Sequence, residues 1–424
     1  MKIEKLRWVT LALQVLIAVA TDVQYELSVL MVPLEKERGW AIPVVALAFT
    51  LTFWVGPFGN FIGGYMRDKL GERKSILLGG LVYGLFLTAS AFAPNAYVFI
   101  LLWGMGAALG VYIIYVSSVS NVGALFPERR GLALGIYLGA ATAGLAVLAP
   151  IVEALASATN ARAAIIILGV SSIVVVPVAA LFLVIAPVGF HPSRGRDADE
   201  SEPVRAPHTL GAQISPLTMI RTPLFWVFAG SIIVTSVASL VFQSTGPVIG
   251  EVALGLDSAT AALVISVFSL TSTVGAVFNG VIADKLGGWA GLFFVAVVAT
   301  VACVALVVSR VDSAWIFFAA SALLGLTYGA VTVMIPQIVM NSFGEKYFGR
   351  NLATISLSTL PPALIAPQIA VNLDAPMAFT ICLVLSALGV PLALGVRQAT
   401  RRLAGSAAKY QPVDPGGGTT ASTA

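Results

Sequence analysis

Apolar runs of about twenty residues, broken by short polar turns, recur from one end of this chain to the other. Their approximate bounds are Trp8 to Val32, Ile42 to Met66, Ser75 to Ala93, Tyr97 to Leu125, Leu132 to Leu155, Ala163 to Val188, Leu224 to Val248, Ala259 to Ala283, Trp289 to Ser309, Ala314 to Asn341, Asn351 to Val371 and Met377 to Val396. As a helix, each run crosses roughly 30 Å of hydrocarbon. A backbone facing lipid must satisfy its own hydrogen bonds, and no run alternates as a barrel strand does, so helix is the only choice. The pattern predicts an all-α membrane protein with twelve transmembrane helices. The first run is too long for a secretory signal and is read as a retained span. One connection is long and hydrophilic: HPSRGRDADESEPVRAPH lies within residues 189–223 and is too polar to fold alone. The expected organisation is a six-helix bundle at 1–188, a linker at 189–223, a second six-helix bundle at 224–396, and a disordered tail at 397–424.

The two halves repeat each other. GYMRDKLG at Gly64 to Gly71 returns as GVIADKLG at Gly280 to Gly287, each between two apolar runs. The fourth run carries Tyr112, Tyr115, Ser117, Ser118, Ser120 and Asn121 before LFPERRG, and the tenth carries Tyr328, Thr332, Gln337 and Asn341 before KYFGRN. Parallel six-helix repeats with a site at their interface fit such a pattern.

Composition agrees with a lipid solvent: 58% of residues are hydrophobic, 10% are charged, and mean hydropathy is +0.94. The formal charge of +4 does not indicate nucleic acid, because the basic residues cluster at the ends of apolar runs. With the N-terminus in the cytoplasm, only Lys36, Arg38, Arg162 and Arg310 of the 24 Lys and Arg residues fall outside. That bias predicts a multi-pass plasma-membrane protein with both termini cytoplasmic. Cys303 and Cys382 lie in apolar runs with no ligand-spaced neighbours, so they read as packing residues and no metal site is expected. Both histidines, His191 and His208, fall in the linker. No ATP-binding cradle and no nucleophile with a base at plausible spacing is present, so neither an enzyme nor a primary pump is expected, and no cofactor.

Acid in the first span is the most distinctive chemistry. Asp22 lies near mid-depth and Glu26 follows four residues on, with Gln14 below, which puts the two carboxyls one turn apart on the same helix face. A carboxyl at bilayer depth is costly and usually serves function, so the pair are candidates for proton coupling. Alternatively, Glu26 reaches outer water and Asp22 bonds a neighbouring hydroxyl as packing. Glu153, near the outer end of the fifth span, is a third candidate with an interfacial alternative. Uncharged substrate contacts are expected from Gln24 and Tyr25 in the first span, Tyr112, Tyr115 and Asn121 in the fourth, Gln243 and Ser244 in the seventh, Ser272 in the eighth, and Tyr328 and Gln337 in the tenth. Each of these equally suits helix packing or an interfacial belt. Gly131, Gly135, Gly139 and Gly144 form a small-residue stripe expected to pack against the other half. Pro361 and Pro362 should bend or break the eleventh span.

The first motif, with Gly64, Asp68, Lys69, Gly71, Arg73 and Lys74, resembles the loop signature of the major facilitator superfamily. Gly280, Asp284, Lys285 and Gly287 resemble that family's weaker second copy. The resemblance covers nearly the whole chain and implies two pseudo-symmetric six-helix bundles working by alternating access as a secondary transporter. It also implies that these residues gate the carrier, Asp68 capping a neighbouring helix and pairing with Arg73. Three phrases, VQYELSVLMVPLEKERGW, FPERRGLALGIYLGAATAG and RTPLFWVF, are similar to the oxalate:formate antiporter and monocarboxylate transporter branch. That likeness favours a monocarboxylate moved with a proton; a neutral or cationic solute by symport or proton exchange is the alternative, and a non-transporting receptor a further one. The branch's Arg in the eighth helix and Lys in the eleventh have no counterpart here, where Ser272 or Ala276 and Thr359 stand. The expected partners are a small-molecule substrate, protons and the lipid bilayer, for a monomer with no nucleic acid.

Overall fold

The computed structural model describes residues 2–187, 210, 213–256, 258–308, 313–372 and 374–406. Its helices are α1 (Lys2–Thr21), α2 (Leu27–Arg38), α3 (Ile42–Leu70), α4 (Glu72–Ser90), α5 (Ala96–Ile100), α6 (Ala108–Leu125), α7 (Arg130–Ala158), α8 (Ala161–Phe182), α9 (Pro216–Met219), α10 (Pro223–Leu254), α11 (Ser258–Leu286), α12 (Gly288–Val308), α13 (Ala314–Phe343), α14 (Phe348–Ser356), α15 (Leu360–Asn372) and α16 (Ala375–Ser406). α1 with α2, α5 with α6, and α14 with α15 are each one broken rod, and α9 is a single turn in the linker. Twelve crossings result, six in each half, with no strand among the described residues. Ten are long and apolar enough by length and composition alone; α4 and the broken α14–α15 rod complete the set.

Local sequence explains the ends. Asn95 caps α5 by accepting from Val98 N at 3.0 Å, and Asn160 caps α8 by accepting from Ala163 N at 2.8 Å. Thr222 caps α10 just before Pro223, and in each case the side-chain oxygen satisfies an amide that the first turn leaves free. The last glycine of each repeated motif has a left-handed backbone, Gly71 at φ 80° and Gly287 at φ 91°. A side chain would be strained there. Both copies therefore end a helix and start the next without a spacer.

The breaks are as informative as the rods. The first span is not a continuous helix: Asp22–Tyr25 forms a 3-10 turn between α1 and α2. The expected α-helical stacking of Asp22 and Glu26 is corrected accordingly; in a 3-10 turn residues three apart eclipse, which aligns Asp22 with Tyr25 instead. Leu101–Ala107 is a π segment between α5 and α6, and its glycines let α3 and α4 approach. A Cβ on Gly104 would lie 2.5 Å from Ala48 O. The eleventh span breaks at a 3-10 turn, Leu357–Thr359, immediately before the Pro361–Pro362 pair.

Two expected boundaries shift. α16 continues through Arg397 to Ser406, because Arg397 stacks over Trp289 at 4.3 Å and Leu403 is buried in the core. Residues 407–424 lie outside the described residues. Most of the linker does too, including His191 and His208, but Leu210 and residues 213–222 are described. Leu210 N donates to Asn341 O and Ile214 N to Phe343 O, both at 2.9 Å, while Asn351 Nδ2 donates to Ile214 O at 2.8 Å. Ile214 and Met219 are buried. This end of the linker is thus strapped onto α13 and α14.

Three apolar cores show how the halves meet. One belongs wholly to the first half and one wholly to the second. The third draws on both, with Val116, Leu134 and Tyr137 beside Met334, Met340 and Phe348. All its members lie toward the face that carries the start of α1 and the end of α16, called the basic face below. The halves are fused there and hold separate cores toward the opposite face.

Candidate functional site: a chamber above a latch

Glycines make the seam between the halves. α7 runs antiparallel to α11, and a Cβ on Gly135 would sit 2.7 Å from Ala276 O, one on Gly139 3.1 Å from Thr273 O. Gly131 and Gly280 are in direct backbone contact. The seam climbs from the basic face to Thr142 and Thr273, whose hydroxyls meet at 3.2 Å. Three members of the predicted small-residue stripe therefore pack across the halves, while Gly144 lies against Asp22 in its own half. α3 and α14 cross as closely: a Cβ on Gly64 would lie 2.6 Å from the Gly349 carbonyl carbon.

Charges lock this contact. Asp284 accepts from the backbone amides of Gly131 at 2.7 Å and Leu132 at 2.9 Å. These amides form the N-terminus of α7, where the unpaired donors and the helix dipole both favour a carboxylate. Gln337 donates to the same carboxylate at 3.0 Å. Asp68 pairs with Arg350 of α14 at 3.3 Å and with Arg67 at 3.4 Å, while Arg67 also donates to Glu345 O at 3.2 Å. Buried Arg130 donates to Asn341 Oδ1 at 2.9 Å and forms an ion pair with Glu345.

Several expectations are corrected here. Arg73 is not the partner of Asp68; it donates to Leu183 O and holds the end of α8 within its own half. The second motif, through Asp284, supplies the helix cap that was expected of Asp68. Lys69 lies over Tyr65 at 5.6 Å, and Lys285 ends α11. Gln337 belongs to the latch rather than to a substrate cavity, because its amide is committed to Asp284. Arg130, Glu345 and Arg350 were not singled out from the sequence, and Asn341 only as a polar residue of the tenth span; ERRG and EKYFGRN following the two polar spans were the available signal.

Above the latch, tyrosines of the two halves come near one another, and the space they border is called the chamber below. Tyr25 of the first span lies beside Tyr112 of α6, with Tyr328 of α13 nearby. Tyr328 lies beside Gln243, an exposed amide in the middle of α10, and its ring packs 5.6 Å from Phe268. Gly56 and Gly59 seat Tyr112, since a Cβ on either would come within 2.9 Å and 2.7 Å of it. Tyr115 lies lower, half-buried against the shared core. Phe49 and Phe53 pack against Tyr25 at 6.5 and 6.0 Å. They share a face of α3 with Asn60 and Gly64, at spacings of four and seven residues that keep one side of a helix. Asn60 donates to Ser356 of the other half at 3.2 Å. On the upper part of that face Phe49 and Phe53 stay 37% and 36% exposed.

Asp22 is 7% exposed and Glu26 5%. The Asp22 Oδ2 is buried with no hydrogen-bond partner, and neither carboxyl forms an ion pair among the described residues. Tyr25, Tyr83 and Tyr137 surround Asp22, and Gly144 gives it room: a Cβ there would sit 3.1 Å from Oδ2. Among the described residues, the cation–π contacts of Lys and Arg engage Phe126, Trp40, Phe348, Tyr65, Phe92, Tyr347 and Trp289, none of them a chamber ring.

Other expected contacts lie elsewhere. Gln24 is fully buried, its side-chain amide donating to Thr52 Oγ1 at 2.9 Å and Trp103 O at 3.0 Å while its backbone carbonyl accepts from Trp103 Nε1. It staples the 3-10 turn to α3 and the π segment. Asn121 binds the segment after α8, donating to Val184 O at 3.0 Å and accepting from Ala186 N. Ser272 is buried where α11 crosses α13 at Gly329. Glu153 is exposed and lies two and a half turns beyond Gly144 on α7, away from Asp22. Ser244 lies outside the residues whose side chains are described.

Known proteins carry the same plan. The Oxalate:formate antiporter of Oxalobacter formigenes is 24% identical over 347 residues, 81% of this chain and 79% of its own. Monocarboxylate transporter 12-B of Danio rerio is 24% identical, with 75% of this chain and 69% of the relative covered. Among solved structures, the transporter FucP in the outward conformation superposes with a TM-score of 0.68 at 13% identity, over 91% of this chain and 98% of that one. The sequence model of the Major Facilitator Superfamily matches residues 13–367. Twelve helices in two repeated bundles, latched at one face around a polar chamber, and a family match over most of its length establish that this chain belongs to the Major Facilitator Superfamily.

Proposed function

We propose that this protein is a proton-coupled secondary transporter that carries a small organic solute without a net negative charge through the chamber between its halves. The basic face is the cytoplasmic one, so the latch closes the inner side and the chamber opens outward. The observation that carries this reading is the buried carboxyl of Asp22 near Tyr25, its Oδ2 without a hydrogen-bond partner and with no ion pair to it among the described residues. A carboxyl in such a place gives and takes a proton as the chamber is wetted from one side or the other. Glu26, beside it, passes the proton outward. The latch opens when the loaded chamber draws the opposite ends of the halves together, which levers apart the glycine contacts of α3 with α14 and of α7 with α11.

A second reading, a monocarboxylate moved with its proton, is supported by what the relatives are named for and by the neutral donors Tyr25, Tyr112, Tyr328 and Gln243. Against it stands the missing cation: two fixed carboxyls repel a carboxylate unless a proton intervenes. Uptake into proteoliposomes distinguishes these readings. Labelled amines, sugars and monocarboxylates are offered with and without an imposed pH gradient, and the gradient is expected to drive accumulation in the wild type and not in Asp22→Asn. Gradient-driven accumulation that survives this substitution removes Asp22 from the coupling.

A further inference from the structure

The end of α16 carries two cations that neither the latch nor the chamber uses. The exposed side of this helix is apolar at Val384, Leu388 and Leu394, which are 56%, 50% and 40% exposed, and turns polar at Gln398 and Arg401. Leu394 and Arg401 stand seven residues apart, on one helix face. Arg401 therefore looks out on the side where Leu394 meets lipid. α16 is 32 residues long, about 48 Å, and roughly 30 Å of hydrocarbon cannot cover it, so its last turns reach the headgroup layer.

Neighbouring tryptophans fix the depth. A Cβ on Gly395 would sit 2.9 Å from the Val227 side chain, and one on Gly230 3.8 Å from that of Leu392, so α10 runs antiparallel to α16 with Trp226 level with Val396. Trp226 is 66% exposed, and Arg397 stacks over Trp289 of α12 at 4.3 Å. Tryptophans sit where hydrocarbon gives way to headgroups. Arg397 is thus at that boundary, and Arg401 stands one turn, about 6 Å, beyond it on nearly the same face. Neither arginine is in an ion pair among the described residues. The described acids of this half at the basic face, Asp284 and Glu345, are committed to the latch.

We infer that the seam of α12 and α16 at the basic face binds an anionic phospholipid, its phosphodiester set between Arg397 and Arg401 and its acyl chains running along Leu394 and Leu388. Each guanidinium offers paired N–H donors to phosphate oxygens. Stacking on Trp289 holds Arg397 in place, which lowers the ordering cost of binding. A zwitterionic lipid brings its own ammonium group, which the two arginines repel. A soluble phosphoester has no chains to cover Leu394. The site requires neither proton coupling nor transport.

Native mass spectrometry of the full chain in detergent tests this with phosphatidylglycerol and phosphatidylcholine of identical acyl chains, offered in equal amounts, and with glycerol phosphate as a soluble competitor. Phosphatidylglycerol should be retained over phosphatidylcholine by roughly five- to thirtyfold. Arg401→Gln, at an exposed position that the fold does not need, should cut this preference about fivefold, and Arg397→Gln by a similar factor. Arg129→Gln removes one exposed charge from the basic face of the first half and should leave the preference unchanged. Equal retention of the two lipids, an equal loss in Arg129→Gln, or displacement of the lipid by glycerol phosphate at equal concentration overturns the inference.

Discussion

Adding a single methyl group at Gly64 should open the latch. In Gly64→Ala the new carbon would lie 2.6 Å from the Gly349 carbonyl carbon, 2.8 Å from its Cα and 2.9 Å from Arg350 N, all backbone atoms that cannot turn aside. Carbon atoms prefer about 3.5 Å or more, so α3 and α14 must part by roughly 0.9 Å. The neighbouring contacts are already long: Asn60 to Ser356 at 3.2 Å and Asp68 to Arg350 at 3.3 Å. The same displacement stretches both to about 4 Å, past useful hydrogen bonding. The hydrogen bond contributes about 0.5–1.5 kcal/mol and the partly exposed ion pair about 0–1 kcal/mol, so the closed state loses about 0.5–2.5 kcal/mol. That shifts the balance between states by roughly two- to seventyfold. Val116 is fully buried, and a Cβ on Gly349 would sit 3.1 Å from it, so Val116→Cys reports the seal. Cys303 and Cys382 are fully buried and give little background. Alkylation of Cys at 116 by an impermeant maleimide from the basic face should accelerate by the same factor in Gly64→Ala. An unchanged rate, in protein whose folding is confirmed by size-exclusion chromatography, would refute the claim that close backbone packing holds this face shut.

Asp284→Asn removes the charge from the α7 cap and is expected to destabilise the closed latch by about 2–3 kcal/mol, read by the same reporter. Arg73→Ala should leave that alkylation rate alone and lower thermal stability by about 1 kcal/mol, since its bond stays within one half; an opened latch would restore it to the gate. Gln24→Leu removes the donor to Thr52 Oγ1 and to the Trp103 carbonyl and should cost about 1–3 kcal/mol in thermal unfolding, with solute affinity unchanged. Tyr328→Phe should weaken solute binding by about 1 kcal/mol without affecting unfolding; the opposite pattern would make Tyr328 a packing residue.

The spans, the repeat and the family were legible in the sequence because they depend on composition and spacing. Lipid requires helices about twenty residues long, and a left-handed glycine must stand at each motif's end, so Gly71 and Gly287 announce themselves. Pro361 and Pro362 likewise announced the break before them. The polar residues within the spans behaved differently. Tyr25, Tyr112, Tyr328 and Gln243 came together at the chamber, while Gln24, Asn121, Ser272 and Gln337, identical in kind, went to staples and the latch. Helical periodicity places a residue on a face of its own rod but does not state which rod that face meets.

Asp22 shows the limit most plainly. Its carboxyl could be read from the sequence as functional, yet the 3-10 turn that sets it under Tyr25 follows from Gln24 bonding to Thr52 and Trp103, residues 28 and 79 positions away. In the same way Asp68 and Asp284 occupy equal places in the two motifs, and only their surroundings differ: one meets the side chain of Arg350, the other the bare N-terminus of α7. By itself the sequence determined how many times the chain crosses the membrane, where it turns and that its halves are copies. Which polar groups face the chamber and which close it was decided by tertiary structure, because hydrogen bonds within lipid are satisfied between helices far apart in the chain.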